Sequence, residues 1–597
     1  MMKDIDRRQL LRGGRLIGGG LALSALLPSW AKSATPGLAP SLPTLAGPNI
    51  DLEISHAHLM IDGRAGHAVT INGTAPGPLL RLKQGQTVRL SVRNTLQEET
   101  SIHWHGLLVP FQMDGVPGVT FPGIKPGQTF VYEFPVVQSG AYWYHSHSGM
   151  QEQEGLYGPI VIDPEGEDPT PYDRDHVVVL SDYSFMHPHM IFERMKQQAG
   201  LFNDQKETLA SLLAGKDQTF KDRVEWAKMR MDPTDISDVT GAALKFLING
   251  HGPQDNWTGL FKPGERVRLR FINSASQTEF NVRIPGLKLT IAAADGQRVQ
   301  PVEVDEFQIA NAETYDVIVQ PTEDKAFTLV AEAMDRSGMG RGTLAPRAGM
   351  VATVPPVRRR PLATMKDMGM DMSSMDMGGM RMDAGAAPGA MTGMAGMSSP
   401  RGSDAMGGMG DMTMSMRDRR NAPGVTMGPG VQTIAPMPVD RTGEPGQGLE
   451  DVGHRVLVYT DLVALAPNPD LRTPTRMMDI HLTGNMERFM WGFDGEKFSE
   501  TTKPYTFEKG ERVRINLIND TMMSHPIHLH GHFFELVHGP KGFHPRKHTV
   551  NVLPGGKVAF DFTAAPGDWA FHCHMLYHMH GGMFQVFSVR PLEGTPA

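Results

Sequence analysis

Three stretches of the chain alternate apolar with polar or charged residues at a period of two: Thr87-Val88-Arg89-Leu90, Arg266-Val267-Arg268-Leu269 and Arg512-Val513-Arg514-Ile515. That period puts every second side chain on one face, as in a strand with one apolar side. Upstream of each stretch stands a tight-turn motif, Ile71-Asn72-Gly73, Ile248-Asn249-Gly250 or Phe493-Asp494-Gly495, and each stretch closes on an asparagine, Asn94, Asn273 or Asn519. The glycine before the strand and the closing asparagine are nine positions apart in every copy (85 to 94, 264 to 273, 510 to 519). A repeated turn and strand predict an all-β chain of three β-sandwich domains, placed at 45–165, 170–357 and 445–597.

Two segments break this pattern. Phe185 to Lys228 is charged, has helical spacing and lacks β-branched runs, which predicts a short helical insertion within 185–240 of the second domain. Residues 360–440 are rich in methionine, with glycine, proline, serine and aspartate between, as in Met368-Gly369-Met370-Asp371-Met372 and Met375-Asp376-Met377-Gly378-Gly379-Met380. Such a composition cannot build a core and predicts a disordered insert.

The first 35 residues read as an export signal. Arg7-Arg8-Gln9-Leu10-Leu11 is a twin-arginine pattern, Leu16 to Leu27 is apolar but interrupted by glycines, and Ser29-Trp30-Ala31 offers small residues at a signal-peptidase spacing. The apolar run is shorter than the ~20 residues a spanning helix needs, so a periplasmic location by the twin-arginine route is expected, with no stable membrane span. A net charge of -8 on 597 residues is mild and gives no reason to expect a nucleic-acid partner. A single cysteine, Cys573, excludes an internal disulfide.

The candidate chemistry lies in four clusters near the two ends: His103-Trp104-His105, His145-Ser146-His147, His525-Pro526-Ile527-His528-Leu529-His530, and His572-Cys573-His574 with His578 and Met583. On a strand, residues two apart face the same way. His103 with His105, His145 with His147, His528 with His530 and His572 with His574 therefore supply paired imidazoles. If the first and third domains pack together, all of these converge on one interdomain space suited to three coppers, with room for dioxygen. Cys573 faces the opposite way, toward His525, His578 and Met583. Two imidazoles, a thiolate and a thioether form a blue-copper electron-transfer site. Gly140-Ala141-Tyr142-Trp143-Tyr144-His145-Ser146-His147 parallels Gly567-Asp568-Trp569-Ala570-Phe571-His572-Cys573-His574, so the first domain keeps the flanking histidines and lacks the thiolate. The middle domain has neither feature and reads as a spacer. His56, His58, His67, His187, His189, His532 and His580 have no counterpart in the repeats and read as ordinary.

These residues resemble the multicopper oxidases and, through the leader and the insert, the periplasmic copper-resistance oxidases of the CopA/PcoA type. The resemblance implies three cupredoxin-like Greek-key domains and four copper ions, one type 1, one type 2 and two type 3. It assigns the type 1 ion to His525, Cys573, His578 and Met583, and the type 2 ion to His103 and His528. The type 3 pair falls to His105, His145, His147, His530, His572 and His574. It also implies that Cys573 passes electrons singly toward dioxygen, and that Asp114, where relatives carry an acid, supplies protons. One departure is Met579, which stands where efflux oxidases of the family can carry an acid.

For the electron donor, soft thioethers favour Cu(I), and Met368, Met370, Met372, Met375, Met377 and Met380 are candidates for capturing it. Periplasmic copper carriers are candidate partners. Two other readings stay open: a laccase-like oxidase of phenols or catechols, and a protein that only sequesters copper.

Overall fold

The three turn motifs close in the same way, because asparagine, aspartate and glycine tolerate the left-handed backbone such turns require. Asn72, Asn249 and Asp494 have φ of 51°, 51° and 52°, and the glycines after them have φ of 78°, 78° and 85°. Their side chains also repeat one bond. Asn72 Oδ1 accepts from Glu53 N at 2.7 Å, Asn249 Oδ1 from Val179 N at 2.7 Å, and Asp494 Oδ1 from His481 N at 2.9 Å. The closing asparagines Asn94, Asn273 and Asn519 are fully buried. Each amide donates to two backbone carbonyls: Glu98 and Ile124, Thr278 and Ile309, Met523 and Val552. A buried amide must find partners, so each asparagine ties the end of its strand to the chain that follows.

The computed structural model describes residues 42–215, 217–370, 416–501 and 503–592. The leader, and within the insert residues 371–415 with Met372, Met375, Met377 and Met380, lie outside the described residues. Among those described, no helix is long and apolar enough to cross a membrane. Six sheets pair into three sandwiches. In each, the repeat strand (Thr87–Asn94, Val267–Asn273, Arg512–Asn519) lies between one parallel and one antiparallel neighbour. The insertion in the second sandwich carries the helices Pro188–Gln197, Leu209–Leu213 and Phe220–Met229.

The middle repeat strand departs from the one-faced pattern. Val267–Asn273 is buried along its whole length, arginines included. Arg268 pairs with Asp168 at 2.6 Å and also with Asp316, and Arg270 pairs with Asp175 at 2.8 Å. Carboxylates from neighbouring elements make that burial tolerable.

The middle sandwich is also more than a spacer. Its apolar residues and those of the third sandwich form one continuous core, from Val178 to Val589. Lys547 of the third sandwich is fully buried against Asp295 and Glu313 of the second, at 3.1 and 3.0 Å. The flanks of the methionine-rich segment are packed too. Ala422, Val425, Val431 and Ile434 form a small buried cluster, and Arg441 bonds Asp367 at 2.8 Å.

Candidate metal centre

The strand His103–His105 pairs antiparallel with Gly140–His145, His103 opposite His145. In the third sandwich His525–Leu529 pairs antiparallel with Gly567–Cys573, His528 opposite His572. The two strand pairs face each other across the interdomain space. His105 stacks on His528 with ring centres 3.8 Å apart, and His103 lies 3.9 Å from His530. His147 lies 5.1 Å from His572, and His145 5.0 Å from His574. The chain's two ends thus bring all the paired imidazoles together.

Five of these rings are held from behind, and the His574 ring has both nitrogens bare among the described residues. Nδ1 of His103 donates to Asp114 O at 2.7 Å, of His528 to His548 O at 2.6 Å, and of His572 to Cys573 O at 2.9 Å. Nδ1 of His530 bonds Asp114 Oδ2 at 2.8 Å, and Nδ1 of His145 bonds Glu152 Oε2 at 2.7 Å. A hydrogen bond at one nitrogen selects the tautomer and aims the lone pair of the other. The opposite nitrogens are the unsatisfied ones. Nε2 of His103, His145, His147, His528 and His574, and Nδ1 of His105, are buried without a hydrogen-bond partner. His530 Nε2 and His572 Nε2 meet at 3.0 Å. Buried nitrogens left bare are costly, and lone pairs converging on shared points are what metal ions satisfy. Burial, reinforced by neighbouring imidazoles, holds His105, His145, His147, His528, His530 and His574 well below the usual histidine range. Burial also brings His572 down to about 4. These rings are neutral near pH 7, the form that ligates metal.

Asp114 is fully buried at the seam, bonded through its carbonyl to His103 and through its carboxylate to His530. Gly115 makes that approach feasible: its φ is +86°, and a Cβ there would sit 1.8 Å from the Ile102 carbonyl oxygen.

A second constellation lies on the far face of the same strand. Cys573 Sγ stands 3.6 Å from His525 Nδ1 and 3.7 Å from His578 Nδ1, with the two nitrogens 3.2 Å apart. His525 Nε2 bonds Thr521 Oγ1 at 2.8 Å, and His578 Nε2 donates to Asp238 Oδ2 at 2.7 Å, so both Nδ1 lone pairs turn toward the sulfur. Trp491 stacks on His578 at 3.9 Å. Met583 is fully buried, and its carbonyl accepts from Cys573 N at 3.2 Å. Burial pushes the Cys573 thiol up, so a thiolate there needs a cation beside it.

Several groups around these clusters are not legible in the motifs. Asp238 comes from the loop that follows the helices of the insertion, where no periodicity marks it. Glu152 lies a few residues after His147, and its closeness to a His-x-His pair is the one signal that points to it. His548 packs 4.8 Å from His105, and together with His105 and His528 it forms a further buried triad. His532 and His580 bond backbone carbonyls, His530 O and Gly149 O, as ordinary histidines do.

The sequence matches three family models described as multicopper oxidase, over residues 53–167, 186–349 and 471–593. It is 47% identical to copper resistance protein A of Escherichia coli, covering 99% of this chain and 100% of that one. A copper resistance protein A homolog of Pseudomonas syringae pv. tomato is 48% identical over 96% of this chain and 98% of its own. Among solved structures, that of Fet3p, a multicopper oxidase that functions in iron import, overlays with a TM-score of 0.61 at 18% identity, covering 92% of this chain and 91% of that one.

Proposed function

Because the chain belongs to the multicopper oxidase family, we propose that it is a periplasmic enzyme that oxidises Cu(I), reduces dioxygen to water and so contributes to copper resistance. The type 1 ion is assigned to His525, Cys573, His578 and Met583, and the type 2 ion to His103 and His528. The type 3 pair is assigned to His105, His145, His147, His530, His572 and His574. When bound, the coppers supply one-electron redox steps at Cys573 and the four-electron reduction of dioxygen between the terminal sandwiches. The observation that carries this reading is the set of bare buried nitrogens, each with its partner nitrogen anchored or its ring packed among the others.

The chain's own groups fill the remaining roles. An electron held at Cys573 reaches His572 and His574 along the backbone, and the bond from His572 Nδ1 to Cys573 O shortens that path. Asp114 holds His103 and His530 in place and is the acid assigned to pass protons inward. Asp238 bonds the outer nitrogen of His578, where the absence of an acid at Met579 left that side without one. A cleft of about 430 Å³, lined by His147, Val116, Met579 and Phe584 among others, reaches His147 at the edge of the imidazole cluster and suits entry of dioxygen and exit of water.

Cu(I) is favoured over a phenol because thioethers gather beside the type 1 constellation. Met334, Met368 and Met522 are buried in one cluster, with Met229, Met231, Met370, Met416 and Met486 packed against it. Met368 and Met370 end one flank of the insert, Met416 begins the other, and Met522 precedes His525 by three residues. A path of soft donors fits a soft ion, and periplasmic copper carriers are proposed to feed it. The test is oxygen uptake with Cu(I) as sole donor in wild type, in Cys573→Ser and in a deletion of 371–415. The reading expects uptake lost in Cys573→Ser and its half-saturating Cu(I) concentration raised in the deletion. Equal uptake in wild type and Cys573→Ser would leave only copper sequestration. Unchanged Cu(I) kinetics with faster phenol turnover in the deletion would favour the laccase-like reading.

A further inference from the structure

Five of the histidines without counterparts in the repeats are brought together by the fold, which revises their reading as ordinary. His56 and His58 are two apart on Asn49–Ile61 and share a face, and His67 on Arg64–Ile71 lies directly across from His58. The ring of His67 is 4.8 Å from that of His56 and 6.4 Å from that of His58. Glu154 arrives from the loop after the second His-x-His motif, with its side chain only 12% exposed. Its carboxylate faces His67 Nδ1 and His187 Nε2, each at 3.8 Å. His187 caps the helix Pro188–Gln197 in the insertion, its Nδ1 accepting from His189 N at 3.4 Å, with the His189 ring stacked on it at 5.4 Å.

These separations are informative. At 3.8 Å, nitrogen and oxygen are too far apart to hydrogen-bond. Two ligand bonds of about 2.0–2.2 Å to a shared ion set neighbouring donors roughly 3–4 Å apart. The Glu154 carboxylate accepts no hydrogen bond among the described residues, although it is largely buried. The segments that carry these donors are held against each other. Tyr183 Oη donates to His67 O at 2.8 Å, and the Arg64 guanidinium lies 3.9 Å over the Phe185 ring, so the first sandwich and the insertion are locked together at this point.

We propose that His56, His67 and Glu154 form a surface site for a divalent copper ion, with His58, His187 and His189 as flanking donors, His187 joining once its Nδ1 gives up the His189 amide. Imidazole and carboxylate, with no thioether among these six residues, suit Cu(II) rather than Cu(I), and Cu(II) heads the divalent series for nitrogen and oxygen donors. The methionine cluster and this histidine cluster therefore divide copper by oxidation state. The site lies outside the oxidase constellations and binds Cu(II) whatever the electron donor proves to be.

The experiment is calorimetric titration of the copper-loaded full chain with Cu(II), paired with electron paramagnetic resonance. Wild type is expected to take up an additional Cu(II) whose spectrum carries imidazole nitrogen couplings. The double variant His67→Ala/His187→Ala is expected to lose that uptake, and Glu154→Gln to weaken it on the order of tenfold. Both are expected to keep the blue band and Cu(I) oxidation of wild type. Should the double variant lose its blue band through misfolding, His56→Gln at an exposed position gives the same reading. Undiminished uptake and unchanged nitrogen couplings in the variants would overturn the site, and preferential filling by equimolar Zn(II) would overturn the choice of copper.

Discussion

Asp238 accepts a hydrogen bond from His578 Nε2 at 2.7 Å across 340 positions of sequence. The aspartate belongs to the middle sandwich's insertion and the histidine to the third sandwich, so a domain with no metal motif of its own reaches the constellation around Cys573. A carboxylate behind an imidazole orients the ring and stabilises added positive charge on it. Replacing it with Asp238→Ala is expected to keep the blue band, raise the reduction potential at Cys573, and slow Cu(I) oxidation about 10–100-fold. Stopped-flow reduction and a spectroscopic redox titration measure both; an unchanged potential and rate would remove Asp238 from the electron path.

Glu279 gives a pH signature. It is fully buried between the second and third sandwiches, where Ser524 Oγ bonds it and Asn551 Nδ2 donates to it at 2.7 Å. Burial raises its pKa from 4.5 to about 7. The folded chain keeps this proton up to about pH 7, while the unfolded chain releases it near pH 4.5. Folding therefore takes up a proton between those values, and this group's contribution to stability falls as pH rises through the window. A shift of that size corresponds to about 3 kcal/mol. Glu279→Gln cannot ionise, so it is expected to gain stability relative to wild type between pH 4.5 and 7.5. Thermal unfolding of the two proteins across that range measures the difference, and parallel profiles would contradict it.

Lys547 tests the interface between the same two sandwiches. With Asp295 and Glu313 at 3.1 and 3.0 Å, its ammonium is the counter-charge for two buried carboxylates. Lys547→Met keeps the bulk and removes the charge, leaving both acids without a counter-charge and held only by neutral donors such as the Thr314 amide and Tyr459 Oη. Breaking a buried pair from one side costs about 3–5 kcal/mol. A marked fall in thermal midpoint is expected, and a change within about 0.5 kcal/mol, as at an ordinary surface position, would show that the neutral donors suffice without the ammonium.

What was legible in the sequence is what strand periodicity and the repeat encode. Asn94, Asn273 and Asn519 stand at one register, and all are buried and bonded alike. His103 with His105, and His572 with His574, share faces because strand neighbours two apart must, and Cys573 then has to look the other way. Partners that meet only through space were not legible. Asp238 and Glu152 come from segments without periodicity. Arg268 and Arg270 look solvent-facing until Asp168, Asp175 and Asp316 arrive from other elements. The methionine-rich flanks have the composition of an unstructured linker, yet Met368 is buried because the third sandwich supplies Met522 to pack against. His56, His67 and His187 lie far apart in sequence and share no motif, so only the pairing of Asn49–Ile61 with Arg64–Ile71 and the position of the helix Pro188–Gln197 bring them together.

The central claim is that the two ends of the chain hold one thiolate-linked copper wired to a three-copper cluster. Metal analysis of the purified full chain, alongside its visible spectrum and that of Cys573→Ser, tests it most directly. The account predicts one type 1, one type 2 and two type 3 ions tightly held in wild type, together with an intense blue band. It predicts that Cys573→Ser loses the band and one copper and keeps the other three. A wild type without the band, or a Cys573→Ser variant that retains it, would contradict the account.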